Sequence, residues 1–288
     1  STIENKKLKM PKTRQRRKLI MAYEKEILAW YEENEKNRAL LEWFNNDEQN
    51  QALLKLYNSK SEAIKEIEAV SKERLALLLS AVPQNYQKAQ YKIMVIGQEL
   101  NGGFGIKEEP RISMLDNLKA QSKKPIKRNF SKFANFSVKF CKSMNKVNRD
   151  ISSYFIWAEI RKFSYWKSPK DKSRKPKKPL SEEVQNIIDK KFNILKDEIR
   201  IINPDIVLFL TGPDYDDYIK TQLEGVDFKA VKGYKEKQFA RVEHEVLPEK
   251  SFRIYHPNAF RQGSVIKMFG RGHLYKEFLK RLVEECKK

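Results

Sequence analysis

The apolar positions along the chain follow two patterns, and the change between them comes at residues 83–88. From about residue 19 to residue 82, apolar side chains recur every three or four positions, which predicts helices throughout this segment. Ser59 and Glu62 have the spacing of a capping box, so a helix is expected to begin there. One face of that helix is predicted to carry Ile64, Ile67, Val70, Arg74, Leu75 and Leu78.

After residue 88, short apolar runs typical of buried strands alternate with amphipathic helical stretches. The predicted strands are 91–97, 153–158, 205–211, 238–243 and 251–256. The predicted helices are 129–147, 181–201, 213–223 and 264–287. This alternation favours an α/β fold, with a mainly parallel central sheet flanked by helices and an all-α segment in front of it.

The patterns divide the chain into a basic arm at 1–18, a helical segment at 19–85 and an α/β domain at 86–288. A basic arm of this kind is suited to following a line of phosphates. Two interpretations of the helical segment stay open. It is either a small bundle packed on the α/β domain, or a module that grips DNA or a protein partner.

The charge balance indicates a polyanionic partner. The chain has 59 Lys and Arg residues against 38 Asp and Glu, a net charge of +21 at pH 7. Such a surplus is typical of nucleic-acid binding, because each neutralised phosphate releases counterions; a basic surface that only maintains solubility is the alternative. A membrane surface is the rival polyanion. No run approaches the ~20 apolar residues that span a bilayer, and we expect no membrane partner.

Two basic insertions interrupt the α/β pattern, at 117–128 and 161–179. The second interleaves aromatic side chains with cations, the composition expected where bases stack and phosphates pair. A solvated surface loop is the alternative interpretation. The candidate DNA-binding residues of the two insertions are Lys123, Lys124, Lys127, Arg128, Tyr165, Trp166, Arg174 and Lys175.

The cysteines limit the cofactor chemistry. Cys141 and Cys286 are too few for a disulfide framework or an iron–sulfur cluster, and no other residues have metal-ligand spacing. We therefore predict neither a metal nor a cofactor. The charged N-terminal stretch has no apolar segment behind it, so no secretory signal peptide is expected and a reducing cytoplasm fits best.

Two strand ends carry the candidate chemistry. The apolar run 92–96 leads through Gly-Gln to Glu99, and the run 252–255 leads directly to His256. Ligands of open α/β sheets bind just beyond the carboxyl ends of the strands, so the acid and the histidine are predicted to share one site. The nearby glycines do not form a phosphate-binding loop, because Gly102 is followed by Gly-Phe rather than Lys and Ser or Thr.

These two segments, with the stretch 203–212 between them, resemble the uracil-DNA glycosylase superfamily over roughly residues 90–275. The resemblance is to a divergent member, similar to bacterial anti-phage glycosylases that act on modified cytosine. The early motif of the superfamily is similar to Gly-Gln-Asp-Pro-Tyr. Here Gly97 and Gln98 match, while Glu99-Leu100-Asn101 replaces the last three residues.

The late motif of the superfamily is similar to His-Pro-Ser-Pro-Leu. Here His256 and Pro257 match, and Asn-Ala-Phe follows, ending at Phe260. The resemblance implies a uracil-DNA glycosylase-like fold and an enzyme that hydrolyses the bond between a base and deoxyribose. It leaves the N-terminal helices unexplained.

The resemblance also implies roles for individual side chains. His256 would donate a hydrogen bond to the base O2, where negative charge collects, and Glu99 would hold the attacking water and stabilise the sugar cation. Phe260, with Arg261 beside it, would enter the duplex while the target nucleotide flips out. Phe104 would stack on the flipped base, and Gln98 and Asn101 are also assigned to the base pocket. The alternatives are a structural His256 and a helix-capping Glu99.

Three departures from the uracil pattern point to another base. Asn101 with its two following glycines replaces a Tyr that packs against the pyrimidine C5 edge, which leaves room for a bulky C5 group. Glu159 takes the place of the base-reading Asn, and a carboxylate suits the N4 amino donor of cytosine. If Glu159 is buried and protonated, it can also donate to N3. Glu99 is one methylene longer than the Asp of the family.

The resulting hypothesis is a monofunctional DNA glycosylase that excises a bulky 5-substituted cytosine, such as glucosylated hydroxymethylcytosine, from double-stranded phage DNA. It would leave abasic sites as an antiviral defence. No Lys is placed as a Schiff-base nucleophile, so strand cleavage is not expected. Two alternatives stay open: a uracil-DNA glycosylase of base-excision repair, and a non-catalytic DNA-binding protein on the same fold.

Overall fold

The computed structural model describes residues 12–99, 109–122, 132–147, 153–165, 179–257 and 274–288. The helices of these residues are α1 (Lys12–Glu32), α2 (Glu35–Asn46), α3 (Glu48–Asn58), α4 (Ser61–Val70), α5 (Pro110–Ser122), α6 (Lys132–Asn145), α7 (Glu182–Lys191), α8 (Leu195–Ile202), α9 (Asp216–Gln222) and α10 (Leu274–Lys287). The strands are β1 (Leu75–Leu77), β2 (Ile93–Glu99), β3 (Phe155–Arg161), β4 (Phe163–Tyr165), β5 (Ile206–Phe209), β6 (Asp227–Ala230), β7 (Phe239–Glu243) and β8 (Lys250–Ile254).

Six strands form one mostly parallel sheet in the order β3-β2-β5-β8-β7-β6. The four strands β3, β2, β5 and β8 run parallel, and β7 and β6 extend the sheet antiparallel. Strands β2 and β5 are central because their continuous apolar runs, 93–96 and 206–209, bury side chains on both faces. The predicted α/β class with a mainly parallel sheet is confirmed.

Most predicted elements lie where the pattern placed them, with ends shifted by a few residues. All five predicted strands are present. Strands β1, β4 and β6 and helix α5 were not predicted, and α5 takes up the first part of the insertion predicted at 117–128. The polar residues of the exposed edge strand β6 give no apolar signal. The predicted helix 181–201 is two helices, α7 and α8, interrupted at 192–194. The first part of the predicted helix 264–287 lies outside the described residues.

The prediction of helix throughout 19–82 is wrong for its last part. Helix α4 ends at Val70, and Leu75–Leu77 forms β1, which pairs antiparallel with β4. The backbone N–H of Leu78 then donates to the carbonyl of Lys162. The periodicity of a short, fully apolar run does not distinguish a helix from a strand. Here the run forms a strand because it pairs with β4, which lies far along the chain.

The predicted capping box is also wrong. Helix α4 begins at Ser61, one residue later than a cap at Ser59 requires for its first turn, and the preceding Lys60 makes no side-chain cap hydrogen bond. The Ser59 hydroxyl instead donates to the carbonyl of Leu56 at the end of α3. A hydroxyl at this position satisfies a carbonyl of the helix before it rather than an N–H of the helix after it.

The N-terminal helices share an apolar core with one face of the sheet. The side-chain amide of Asn50 on α3 exchanges two hydrogen bonds with the backbone of Val82, at 2.8 and 2.9 Å. The Tyr31 hydroxyl donates to the carbonyl of Leu115 on α5 at 2.6 Å. A buried ion pair, Lys162 with Glu198 at 2.7 Å, lies beside Tyr57. Within the described part of the chain, no helix has the length and apolarity to cross a bilayer.

Candidate active site

The carboxyl ends of β2 and β3 bring two pairs of residues into direct register. Gly97 lies opposite Glu159, and Glu99 lies opposite Arg161. Alternate residues of a strand point to the same face, so Gly97 and Glu99 on β2 share one face of the sheet with Glu159 and Arg161 on β3. Two carboxylates, Glu99 and Glu159, therefore enter the same region from neighbouring strands.

Glu159 is held closely against Gly97. The Glu159 side chain is buried, and the residue is only 4% exposed. The indole N–H of Trp157 donates to Glu159 Oε1 at 2.9 Å. A Cβ atom placed on Gly97 would lie 2.3 Å from Glu159 Oε2, so only glycine allows the carboxylate to occupy this position.

The ring of Phe133 on α6 packs against both Trp157 and His256. It stacks on the His256 imidazole with a centroid distance of 5.9 Å and an interplanar angle of 13°, and it packs on Trp157 at 5.6 Å. The edge of the same ring lies 3.0 Å from the position of a Cβ on Gly97. His256 follows the end of β8, so Phe133 joins this strand end to Trp157, the residue that donates to Glu159.

Arg161 and Tyr215 contact the carboxylate of Glu99. Nη1 of Arg161 lies 3.3 Å from Oε2, and the Tyr215 hydroxyl donates to Oε1 at 3.4 Å. The side chains of Glu99 and Arg161 are 11% and 15% exposed. Burial, reinforced by the charge of Glu99, raises the pKa of Tyr215 to about 12, so its hydroxyl keeps its proton and remains a donor.

Gln98 links two strand ends. Its Nε2 donates to the carbonyl of Thr211 at 2.7 Å, in the segment that follows β5. The amide thereby ties the end of β2 to the end of the neighbouring strand. A role of Gln98 in base binding stays a prediction.

Tyr165 is not in a loop, as the predicted insertion 161–179 required. It lies on β4 opposite Leu75, and its hydroxyl accepts from the backbone N–H of Ser181 at 3.2 Å. Arg161 likewise belongs to β3. Strand β3 continues past the predicted loop start because β2 extends to Glu99 opposite Arg161, and β4 forms because β1 supplies its partner. The remaining predicted site residues lie outside the described residues: Asn101, Phe104, Lys123, Lys124, Lys127, Arg128, Trp166, Arg174, Lys175, Phe260 and Arg261.

Sequence reasoning missed several residues of this site. Trp157 lies two residues before Glu159 and Arg161 two residues after it, on the same strand. Because alternate residues of a strand share a face, this spacing could have predicted that both lie beside Glu159. Phe133 and Tyr215 had no such signal. They reach the site only because α6 and the turn before α9 pack at this end of the sheet.

The site combines two carboxylates, an imidazole and an aromatic wall, a set suited to hydrogen bonding and stacking against a flat polar ligand. Within the described ranges, no cluster of three or more His, Cys, Asp or Glu is arranged to hold a metal ion. The sequence matches no protein-family model and no curated protein.

Proposed function

We propose that this chain is a monofunctional DNA glycosylase that excises a modified cytosine with a bulky C5 substituent. The observation that carries the proposal is the contact of one ring, Phe133, with both the His256 imidazole and the Gly97 position against which Glu159 packs. Glu99 follows two residues after Gly97 on the same strand. An acid, a histidine and a buried acceptor thus lie at the carboxyl ends of the parallel strands, where α/β sheets bind ligands.

The proposed chemistry is hydrolysis through an oxocarbenium-like state. Glu99 holds the attacking water and stabilises the positive charge that grows on deoxyribose. His256 donates to the base O2 as the base departs with negative charge. The contacts from Arg161 and Tyr215 support this role, because they fix both oxygens of the Glu99 carboxylate before substrate arrives.

Glu159 is the proposed reader of the base. Its Oε1 is held by the Trp157 indole N–H, which fixes the plane of the carboxylate. A carboxylate held in this way is a directed acceptor for the exocyclic amino group of cytosine, a donor that uracil lacks. Uracil presents an O4 acceptor there, which would face the acceptor oxygens of Glu159. This arrangement favours cytosine over the uracil alternative.

DNA is the proposed partner, on the strength of the net charge of +21. Bulky cytosine modifications occur mainly in phage genomes, so we propose an antiviral role in a bacterial cytoplasm. The enzyme would flip the modified nucleotide out of the duplex and leave an abasic site.

The test is base release from three DNAs: one containing uracil, one with plain cytosine, and phage DNA with glucosylated hydroxymethylcytosine. Freed bases and abasic sites are quantified by mass spectrometry. We expect release from the modified DNA alone, and its loss in Glu99→Gln and His256→Ala. Glu245→Gln, an exposed carboxylate paired with Lys196, is the matched control and should keep full activity.

Each other outcome has a definite meaning. Release of uracil at a comparable rate would support the repair enzyme and refute the assignment of Glu159. If no DNA loses a base, the glycosylase proposal fails and a non-catalytic DNA-binding protein remains.

A further inference from the structure

We propose that Arg161 is a positioning residue that holds the Glu99 carboxylate in its reactive orientation; this inference rests on the proposed glycosylase function. Arg161 lies directly opposite Glu99 in the β2–β3 pair, and its Nη1 is 3.3 Å from Glu99 Oε2. Both side chains are largely buried. A pair at this depth is less screened than a surface ion pair, so it can fix geometry.

The guanidinium of Arg161 is itself held in place. Its central carbon lies 3.9 Å from the centre of the Tyr218 ring and 5.5 Å from that of Tyr215. Stacking of this kind suits the flat face of a guanidinium and leaves its edge for hydrogen bonding. Among the described residues, Arg161 donates a hydrogen bond to Glu99 through Nη1. Its buried Nε has no acceptor among them.

The two tyrosines are anchored to the strand that leads to His256. Asp216, the first residue of α9, receives two hydrogen bonds from Arg253 on β8, at 2.9 and 3.0 Å. Arg253 is fully buried. The chain of contacts from Glu99 through Tyr215 and Asp216 to Arg253 therefore joins the two strand ends that carry the proposed acid and histidine.

The length of Glu99 explains why it needs such support. A glutamate has one more rotatable bond than the aspartate of the resembled motif, so its carboxylate samples more positions and loses more entropy when fixed. Arg161 and Tyr215 each engage one oxygen. Together they restrict the extra bond before the substrate binds.

The experiment compares Arg161→Gln with the wild-type protein in single-turnover base release at saturating enzyme, with DNA affinity measured separately. We expect release to fall about 100-fold, the usual cost of a misplaced catalytic group, while DNA affinity stays unchanged. Arg161→Lys should recover part of the rate. Methylguanidinium added to Arg161→Ala should also restore part of the rate, which a purely structural role would not allow.

Two further variants complete the design. Arg200→Gln removes a cation of the same type from an exposed position on α8 and should change nothing. Tyr215→Phe keeps the ring but removes the donor to Glu99 Oε1, and should slow release several-fold at unchanged affinity. If Arg161→Gln does not fold, Tyr215→Phe still tests whether base release depends on holding the Glu99 carboxylate in place.

The inference is overturned if Arg161→Gln and Tyr215→Phe release base at the wild-type rate. It is equally overturned if the only effect of Arg161→Gln is weaker DNA binding, since Arg161 would then serve a phosphate. Failure of the wild-type protein to release any base is a different result: it removes the proposed function, and the inference with it.

Discussion

Gly97 and Glu159 face each other across the β2–β3 pair so closely that the carboxylate occupies the space in which any other residue would place its Cβ. The distance from that Cβ position to Glu159 Oε2 is 2.3 Å. The first glycine of the early motif is thus explained by the side chain opposite it, and not by a turn or a phosphate.

Gly97→Ala is expected to displace Glu159 and Phe133. Overpacking of this kind costs roughly 1–3 kcal/mol of unfolding free energy, and base release should fall with it because Glu159, the proposed reader of the base, moves. Gly233→Ala is the control: nothing lies within 4 Å of its Cβ, and its cost comes from a positive φ of 92° alone. Urea unfolding and base release measured on both variants check the prediction. Equal activity in the two variants would contradict it.

Glu159→Gln keeps the shape of the side chain but replaces one acceptor oxygen with a donor. Release of modified cytosine should fall by roughly 100-fold or more, because a buried donor would face the N4 amino group. Trp157→Phe removes the indole N–H that holds Oε1, together with part of the ring that packs on Phe133, and should have a smaller effect. Rates on modified-cytosine and uracil DNA are the measurement. Release of modified cytosine by Glu159→Gln at the wild-type rate would show that Glu159 does not read the base.

Removal of one partner from the buried pair of Lys162 and Glu198 is expected to destabilise the fold strongly. The side chains are 5% and 0% exposed. Lys162→Met leaves the carboxylate buried without its cation, which should cost about 3–5 kcal/mol of unfolding free energy. The double variant Lys162→Met/Glu198→Leu should lose less, since no unpaired charge remains.

Lys65→Met is the matched control, because Lys65 forms an exposed pair with Glu62 and should contribute little. Denaturant unfolding of the single and double variants provides the comparison. A double variant as unstable as Lys162→Met would rule out the uncompensated charge as the cause.

The raised pKa of Tyr215 predicts that the free energy of unfolding falls at alkaline pH. Its pKa is about 12 in the folded protein, raised from an ordinary value of 10 chiefly by burial. A raised pKa means that the stabilisation is complete below pH 10 and is lost as the pH rises through 12, because the unfolded chain ionises first. The difference in unfolding free energy between the wild-type protein and Tyr215→Phe should therefore shrink between pH 10 and 12.

Urea unfolding over a pH series measures this difference, and the near-ultraviolet absorbance of the phenolate measures the titration itself. The other buried tyrosines are present in both proteins and cancel in the comparison. A difference that stays constant through this range would show that Tyr215 ionises alike in the folded and unfolded chains.

The local pattern of apolar residues was sufficient to predict the central strands and to select two candidate site residues. The apolar runs of β2 and β5 are short and continuous, so neighbouring positions are enough to predict that both are strands. Glu99 and His256 follow from the rule that ligands bind beyond the carboxyl ends of parallel strands.

Long-range partners decided what the local pattern left ambiguous. The apolar run after residue 74 has helical spacing, yet it forms a strand because β4 offers a pairing edge some 90 positions later. Arg161 was predicted to be part of the basic insertion 161–179, because the stretch that it begins is rich in Lys and Arg. Its place opposite Glu99 depends on the register of two parallel strands.

Thus the sequence by itself determined the α/β class, the parallel strands and the two strand ends that carry an acid and a histidine. Only the tertiary structure brought Phe133 against both His256 and Trp157, and Tyr215 to Glu99. The physical reason is that periodicity records which face of an element is buried, whereas the partner of that face is chosen by packing among all elements at once.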